Sequence, residues 1–176
     1  LPLLGGLVLG LALQRLKPAR RIVGVTHVME HLARHQGHLP LGNAWVQFVG
    51  GILALASGQS AGREGPAIHL GAAASSQLGT RLRLPNNSVR TLVACGTAAA
   101  IAASFNTPLA GVIFAMEVVM MEYTVASFIP MIIAAVSATL VAVVAHGNAP
   151  AFSVPPLLLG SLRDLPWVLL AAVVIG

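Results

Sequence analysis

Charge is what this sequence has least of. Of its 176 residues only 9% are Asp, Glu, Lys or Arg, and only five are acidic. A soluble domain carries about 25% charged residues, because its surface must be solvated. No charged side chain occurs over 1–14, 35–62, 91–116 or 123–162. Stretches of that kind cannot make an aqueous surface, which excludes a soluble globular domain. Aromatics are also scarce, at 5%. With no aromatics interleaved among the arginines, a nucleic-acid interface is excluded as well. A single cysteine, Cys95, excludes an internal disulfide framework and reads as a small core residue. A secretory leader needs a basic region ahead of its apolar core, and Leu1 opens directly in an apolar run.

What remains is 56% hydrophobic. A helix needs roughly 20 apolar residues to cross about 30 Å of hydrocarbon. The last three uncharged stretches each hold one crossing or most of one, and the first resembles a clipped span. The expectation is an all-α, polytopic membrane protein in the cell membrane, a fragment of a longer chain with further helices on both sides. Gly and Pro punctuation places helices near 3–16, 26–35, 41–57, 66–82, 87–104, 108–122, 124–145 and 165–176. Several are too short to span. Short, interrupted apolar segments are tolerated at membrane depth only where backbone lines a cavity or is buried in protein. Gly6-x-x-x-Gly10 and the run Ala98–Ser104 offer small-residue faces for close helix packing. The net charge of +5 is concentrated in 15–21 and 81–90, candidates for cytoplasmic loops.

One charged pair stands apart. In "SGQSAGREGPAIHLGAAASS" (57–76), Arg63 and Glu64 lie between Gly62 and Gly65, with Pro66 next. Proline suits the first helical position, where its missing N–H is not needed. A helix starting at about residue 65 would present free backbone N–H groups, which attract anions. The two glycines remove bulk and let an ion approach. Glu64 would then sit where a permeant anion sits: it competes when ionised and vacates the seat when protonated. An intramembrane carboxylate costs about 3 kcal/mol on insertion scales, so a functional role is the default reading. The plainer reading is a structural pair with Arg63.

"GREGP" with its small-residue helix, followed by "GTAAAIAASFNTPLAGVIFAMEVV" (96–119), resembles the CLC family of chloride channels and chloride/proton antiporters. The resemblance covers essentially the whole chain, as the first of two inverted repeats without its opening helix. It implies broken and tilted helices, a partial transmembrane anion-transport domain over 1–176, and a homodimer with one pore per subunit. It implies transport of chloride, with protons as a possible second substrate and no cofactor. By the resemblance Glu64 is the gate, and Gly62, Arg63, Gly65, Pro66, Ala67 and Gly24 line the anion path. Asn106 and Pro108 open the next helix, with Thr107 able to cap it, and Glu117 is a supporting carboxylate at that helix's end. The segments 108–122 and 124–145 would include dimer-interface helices.

Two positions depart from the family pattern. Val118 stands where the antiporters carry an inner proton-relay glutamate, which favours a passive channel or another proton route. Glu122 is a candidate substitute, although a loop acid is the plainer reading. Upstream, "IVGVTHVME" (22–30) aligns with a Gly-Ser-Gly-Ile-Pro element. Gly24 fits, but Val23 replaces the serine whose hydroxyl touches the anion.

Two other classes remain open. "HVMEH" (27–31) has the H-x-x-E-H spacing of inverzincin peptidases, in which two histidines bind zinc and the glutamate acts as base. His35 continues that row. The plain reading is a loop-flanking helix with titrating histidines. The third class is a non-transporting membrane subunit whose charged pair is purely structural. His69, early in the presumed pore helix, reads either as facing the path or as a packed neutral histidine.

Overall fold

The computed structural model describes residues 2–147 together with 166, 167, 169 and 170. Among them are eight α-helices and no strand: α1 (Pro2–Gln14), α2 (Pro18–Arg21), α3 (Val25–Arg34), α4 (Leu41–Ala56), α5 (Glu64–Arg81), α6 (Asn86–Phe105), α7 (Pro108–Phe114) and α8 (Val125–His146). A π-helical segment, Ala115–Met120, continues α7. Apart from four residues, the helix expected over 165–176 lies outside the described residues.

The element ends follow local chemistry. Gly24 has φ +93, a conformation suited to glycine, and turns the chain into α3. At the far end of α6, Asn106 adopts the left-handed conformation (φ 57) and its N–H bonds the Ala102 carbonyl. Thr107 then occupies the cap position of α7, but its side chain makes no cap bond, so Pro108 alone sets the start. The short α2 was not legible in the basic run. There the Arg21 guanidinium donates to the Leu16 and Gln14 carbonyls, satisfying the end of α1.

Only α6 and α8 are long and apolar enough to cross a membrane among the described residues. At 1.5 Å per residue they reach about 30 Å and 33 Å. α6 is the central post. It packs most broadly against α5, and next against α8. One apolar cluster joins α6 to α7 and α8 through Ala98, Ala102, Val112, Ala115, Met116 and Met131. A second joins α3, α4, α5 and α6 through Val28, Leu32, Ala44, Ala72 and Val93, and includes Leu39 of the α3–α4 loop and Val119. On its other side α8 turns Ile129, Ile133, Leu140, Val141 and Val144 outward, a face suited to hydrocarbon and not to water.

Close packing is set by glycines. A Cβ on Gly71 would collide with the Gly96 carbonyl oxygen, and one on Gly96 with the Gly71 carbonyl and the Ser75 hydroxyl. Gly111 is pressed in the same way on the Ala98 carbonyl. The expected Gly6/Gly10 face is used differently. Gly5 is the close contact, against Ser57, whereas a Cβ on Gly10 would meet nothing.

Polar pins hold the loops. Ser76, buried in α5, accepts from the Leu39 N–H at 2.8 Å and donates to the Gly37 carbonyl at 2.7 Å. Gln77 donates to the Leu39 carbonyl at 2.8 Å. Arg90 donates to Glu122 at 2.9 Å, joining the start of α6 to the chain after the π segment. Glu122 is therefore paired on a partly exposed surface. Partly exposed pairs contribute about 0–1 kcal/mol. Replacing Glu122 by Gln should accordingly leave the melting temperature in detergent almost unchanged. A drop of many degrees would show the pair to be a structural anchor.

Candidate functional site

The charged pair opens α5. Arg63 is the cap residue and Glu64 the first helical residue, one position earlier than proline placement suggested. Pro66 is third, still within the first turn, where no intrahelical partner exists for an N–H. The first bond of the helix runs from the Ala67 N–H to the Arg63 carbonyl at 3.1 Å. The amide of Ala67, expected to face an ion, is thus already engaged. The amides of Glu64 and Gly65 come before it and are the ones this helix leaves open.

Glu64 is exposed in this chain. Its carboxylate folds back over Gly62, so that any Cβ on Gly62 would strike it. Gly65 has open space where a side chain would stand. The two glycines therefore act differently. Gly62 leaves room for the Glu64 carboxylate, and Gly65 leaves room for an approaching ligand. An ionised carboxylate in the first turn gains about 0.3–1 kcal/mol from the helix dipole, and up to about 2 when partly buried.

Arg63 points elsewhere. Its Nη2 donates to the Ser104 carbonyl at 2.6 Å, and its guanidinium lies 5.4 Å from the centre of the Phe105 ring. No ion pair joins it to Glu64 among the described residues. Arg63 and Asn106 share a cavity of about 270 Å³ with Ser104 and His146. A separate cavity of about 290 Å³ is lined by Val23, Gln47, Gln59, Gly62 and Pro66, among others. The residues expected around one path thus divide. The turn into α3 and the mouth of α5 share one hollow, while Arg63 and Asn106 serve the junction of α5 with the end of α6. Pro108 faces a third hollow between α7 and α8. Glu117 is exposed in the π segment, and Val118 packs against the α3–α4–α5 cluster.

The histidines also rearrange. His27, His31 and His35 do share one face of α3, with ring centres 4.1 and 4.5 Å apart. Glu30, however, is turned to Arg34 at 3.9 Å. Both ring nitrogens of His27 are engaged: Nδ1 with His69 Nε2 at 3.1 Å and Nε2 with Asn43 Nδ2 at 3.4 Å. No group of three or more His, Cys, Asp or Glu among the described residues could hold a metal ion. The H-x-x-E-H spacing therefore assembles no zinc centre there. His69 is fully buried, so it packs and does not face an open path. Asn43 gave no signal in the sequence.

An all-helical membrane protein with short broken helices, two of whose N-termini flank one hollow, is the class that fold and site define. The sequence comparisons sharpen that class. The family model described as "Voltage gated chloride channel" matches residues 5–176, and the chain belongs to this family. A "Putative chloride channel protein ClcB-like" from Ralstonia nicotianae is 36% identical over 159 residues, covering 88% of this chain and 37% of that protein. An "H(+)/Cl(-) exchange transporter ClcA" from Vibrio cholerae is 37% identical over 134 residues, covering 74% of this chain and 29% of the relative. A "Voltage-gated ClC-type chloride channel ClcB" from Escherichia coli is 34% identical over 178 residues, covering 99% and 42%. The chain spans less than half the length of these relatives. Their names include both channels and an exchanger. Membership makes it an integral membrane protein of an anion-transport family.

Proposed function

We propose that this chain supplies one half of a path for chloride or a similar small anion across the cell membrane, gated by Glu64. One observation carries the reading: Glu64 is the first residue of α5, its carboxylate is folded over Gly62, and the neighbouring position at Gly65 is open. A helix N-terminus stabilises an anion without holding it as tightly as a full cation would. The carboxylate and the anion are then alternatives for one seat. Gly62, Gly65 and Pro66 shape that seat from α5. Gly24 contributes the amides of the first turn of α3, and Arg63, Asn106, Pro108 and Glu117 act as supports. The Val23 side chain donates nothing, so backbone N–H groups carry the recognition.

A second, inverted half completes the conduction path, and two such subunits pair along α7 and α8. The outward Leu109, Ile113, Ile129 and Ile133 suit an apolar contact of that kind. The channel reading is favoured over proton-coupled exchange because Val118 cannot carry a proton. Glu122, engaged with Arg90, is poorly placed to replace it. The test is chloride flux of the full-length protein in liposomes with proton movement recorded simultaneously. Chloride efflux is expected without proton movement in fixed proportion. A constant proton-to-chloride ratio would overturn the channel assignment, and absence of any anion flux would overturn transport itself.

A further inference from the structure

Three buried polar side chains from three helices meet in the interior. Asn43 of α4 is 4% exposed, His27 of α3 is 3% exposed and His69 of α5 is fully buried. Their hydrogen-bond direction can be assigned. Asn43 Nδ2 lies 2.9 Å from both the Ala19 and the Ile22 carbonyl oxygens. Two acceptors fix that atom as the amide NH2. Both hydrogens of that NH2 go to the carbonyls and its nitrogen accepts nothing, so a proton on the facing His27 Nε2 would meet only a repelling group; Nε2 is assigned as the lone pair. The His27 proton sits on Nδ1 and is donated to His69 Nε2 at 3.1 Å. His69 in turn carries its proton on Nδ1, which is buried without a partner among the described residues. Leaving such a donor unpaired is unfavourable. An apolar trio would avoid that cost but would lack direction.

The placement is informative. Ala19 lies in α2 and Ile22 immediately precedes Val23 and Gly24, so Asn43 ties α2 to the turn from which α3 emerges. His27 is the third residue of α3 and His69 the sixth of α5. The His27–His69 bond thus couples the first turn of α3 to the second turn of α5. We propose that Asn43, His27 and His69 are positioning residues for the anion seat: Asn43 pins the turn before α3, and a directed hydrogen bond from His27 to His69 sets the spacing between the N-termini of α3 and α5. The inference rests on the seat proposed above. Anion affinity at helix termini depends steeply on how well amide donors converge, so loosening these contacts should weaken binding without touching any group that meets the ion.

The variants are chosen at constant volume. In the full-length protein, His69→Gln places an amide oxygen near the position of Nε2 and still accepts from His27. His69→Met fills similar space without a comparable acceptor. Chloride affinity, measured by titration calorimetry in detergent, is expected within about twofold of wild type for Gln and about tenfold weaker for Met. A simple packing role predicts that the two variants behave alike, and that outcome overturns the proposal. A second measurement needs no variant. Nitrogen-15 spectra of labelled histidines should show the His27 proton on Nδ1 and an unprotonated Nε2. The opposite tautomer overturns the proposal even if both variants fail to assemble. Wild-type protein that binds no chloride at all would remove the seat and this inference together. Chloride binding that is blind to position 69 removes this inference alone.

Discussion

Replacing Glu64 by alanine in the full-length protein is expected to produce anion flux that no longer changes between neutral and acidic pH. On the proposed gate, the wild-type carboxylate, covalently attached to the helix mouth, occupies the place an external anion needs. It is always at high local concentration, so it wins against dilute chloride. Acid neutralises it and opens the seat, so wild-type flux rises as pH falls. The size of the effect follows from the helix terminus. Glu64 is exposed, and a charge at an exposed helix terminus gains about 0.3–1 kcal/mol. At 1.36 kcal/mol per decade, that is up to about a fivefold gain in apparent chloride affinity for Glu64→Ala at neutral pH. Glu64→Gln keeps the volume and loses the charge. It should share the loss of pH response while still obstructing the seat sterically, giving lower flux than alanine. Flux in the alanine variant that remained as pH-sensitive as wild type would remove Glu64 from the gate. Unchanged flux in both variants, with assembly altered instead, would favour the structural-subunit reading. Arg63 is not expected to mimic these effects, because its guanidinium is committed to the Ser104 carbonyl and the Phe105 ring.

The second large effect concerns the crossing of α5 and α6. Gly96→Val is expected to abolish a monodisperse, folded protein in detergent. At this crossing a new Cβ on Gly96 meets the backbone carbonyl of Gly71 as well as the Ser75 hydroxyl. A flexible side chain could move aside, but backbone in the middle of an 18-residue helix cannot. Overpacking a core typically costs about 1–3 kcal/mol. Here the clash is reciprocal and falls on the broadest helix contact of the molecule, so the cost should reach or exceed the top of that range. A natural protein holds only about 5–15 kcal/mol of net stability. Gly10→Ala is the matched control. Nothing lies near a Cβ there, and alanine favours a helix over glycine by about 1 kcal/mol, so the variant should be neutral or slightly stabilising. Size-exclusion profiles and melting temperatures of the two variants make the comparison. A Gly96→Val protein that melted like wild type would mean that α5 and α6 can separate without harm.

Much of the helical layout was legible residue by residue. Prolines at 40, 85 and 108 and glycines at 24, 37 and 147 bracket helices, because each imposes a backbone geometry that does not depend on distant partners. Errors arose where local rules compete. Pro66 suggested a start at about residue 65, yet the helix takes up Glu64, since a proline anywhere in the first turn costs no bond. The π segment at Ala115–Met120 was read as plain helix because its apolar spacing is nearly the same. Gly5, not Gly10, makes the close approach of α1, because which glycine meets a neighbour depends on where α4 ends. The charged pair was found by its chemical incongruity, but the separation of Arg63 from Glu64 was not foreseen.

From the sequence alone came the solvent, the helical class, the family and the position of the carboxylate at a helix mouth. These follow from costs that hold in any fold: charge is expensive in hydrocarbon, and proline lacks a donor. The tertiary structure alone decided which polar groups meet. Asn43 reaches His27 across 16 positions and His27 reaches His69 across 42, and the Ala67 amide proved already spent on Arg63. Long-range pairings of that kind depend on crossing angles and on which small residues let backbones touch, and no local period in the chain records them.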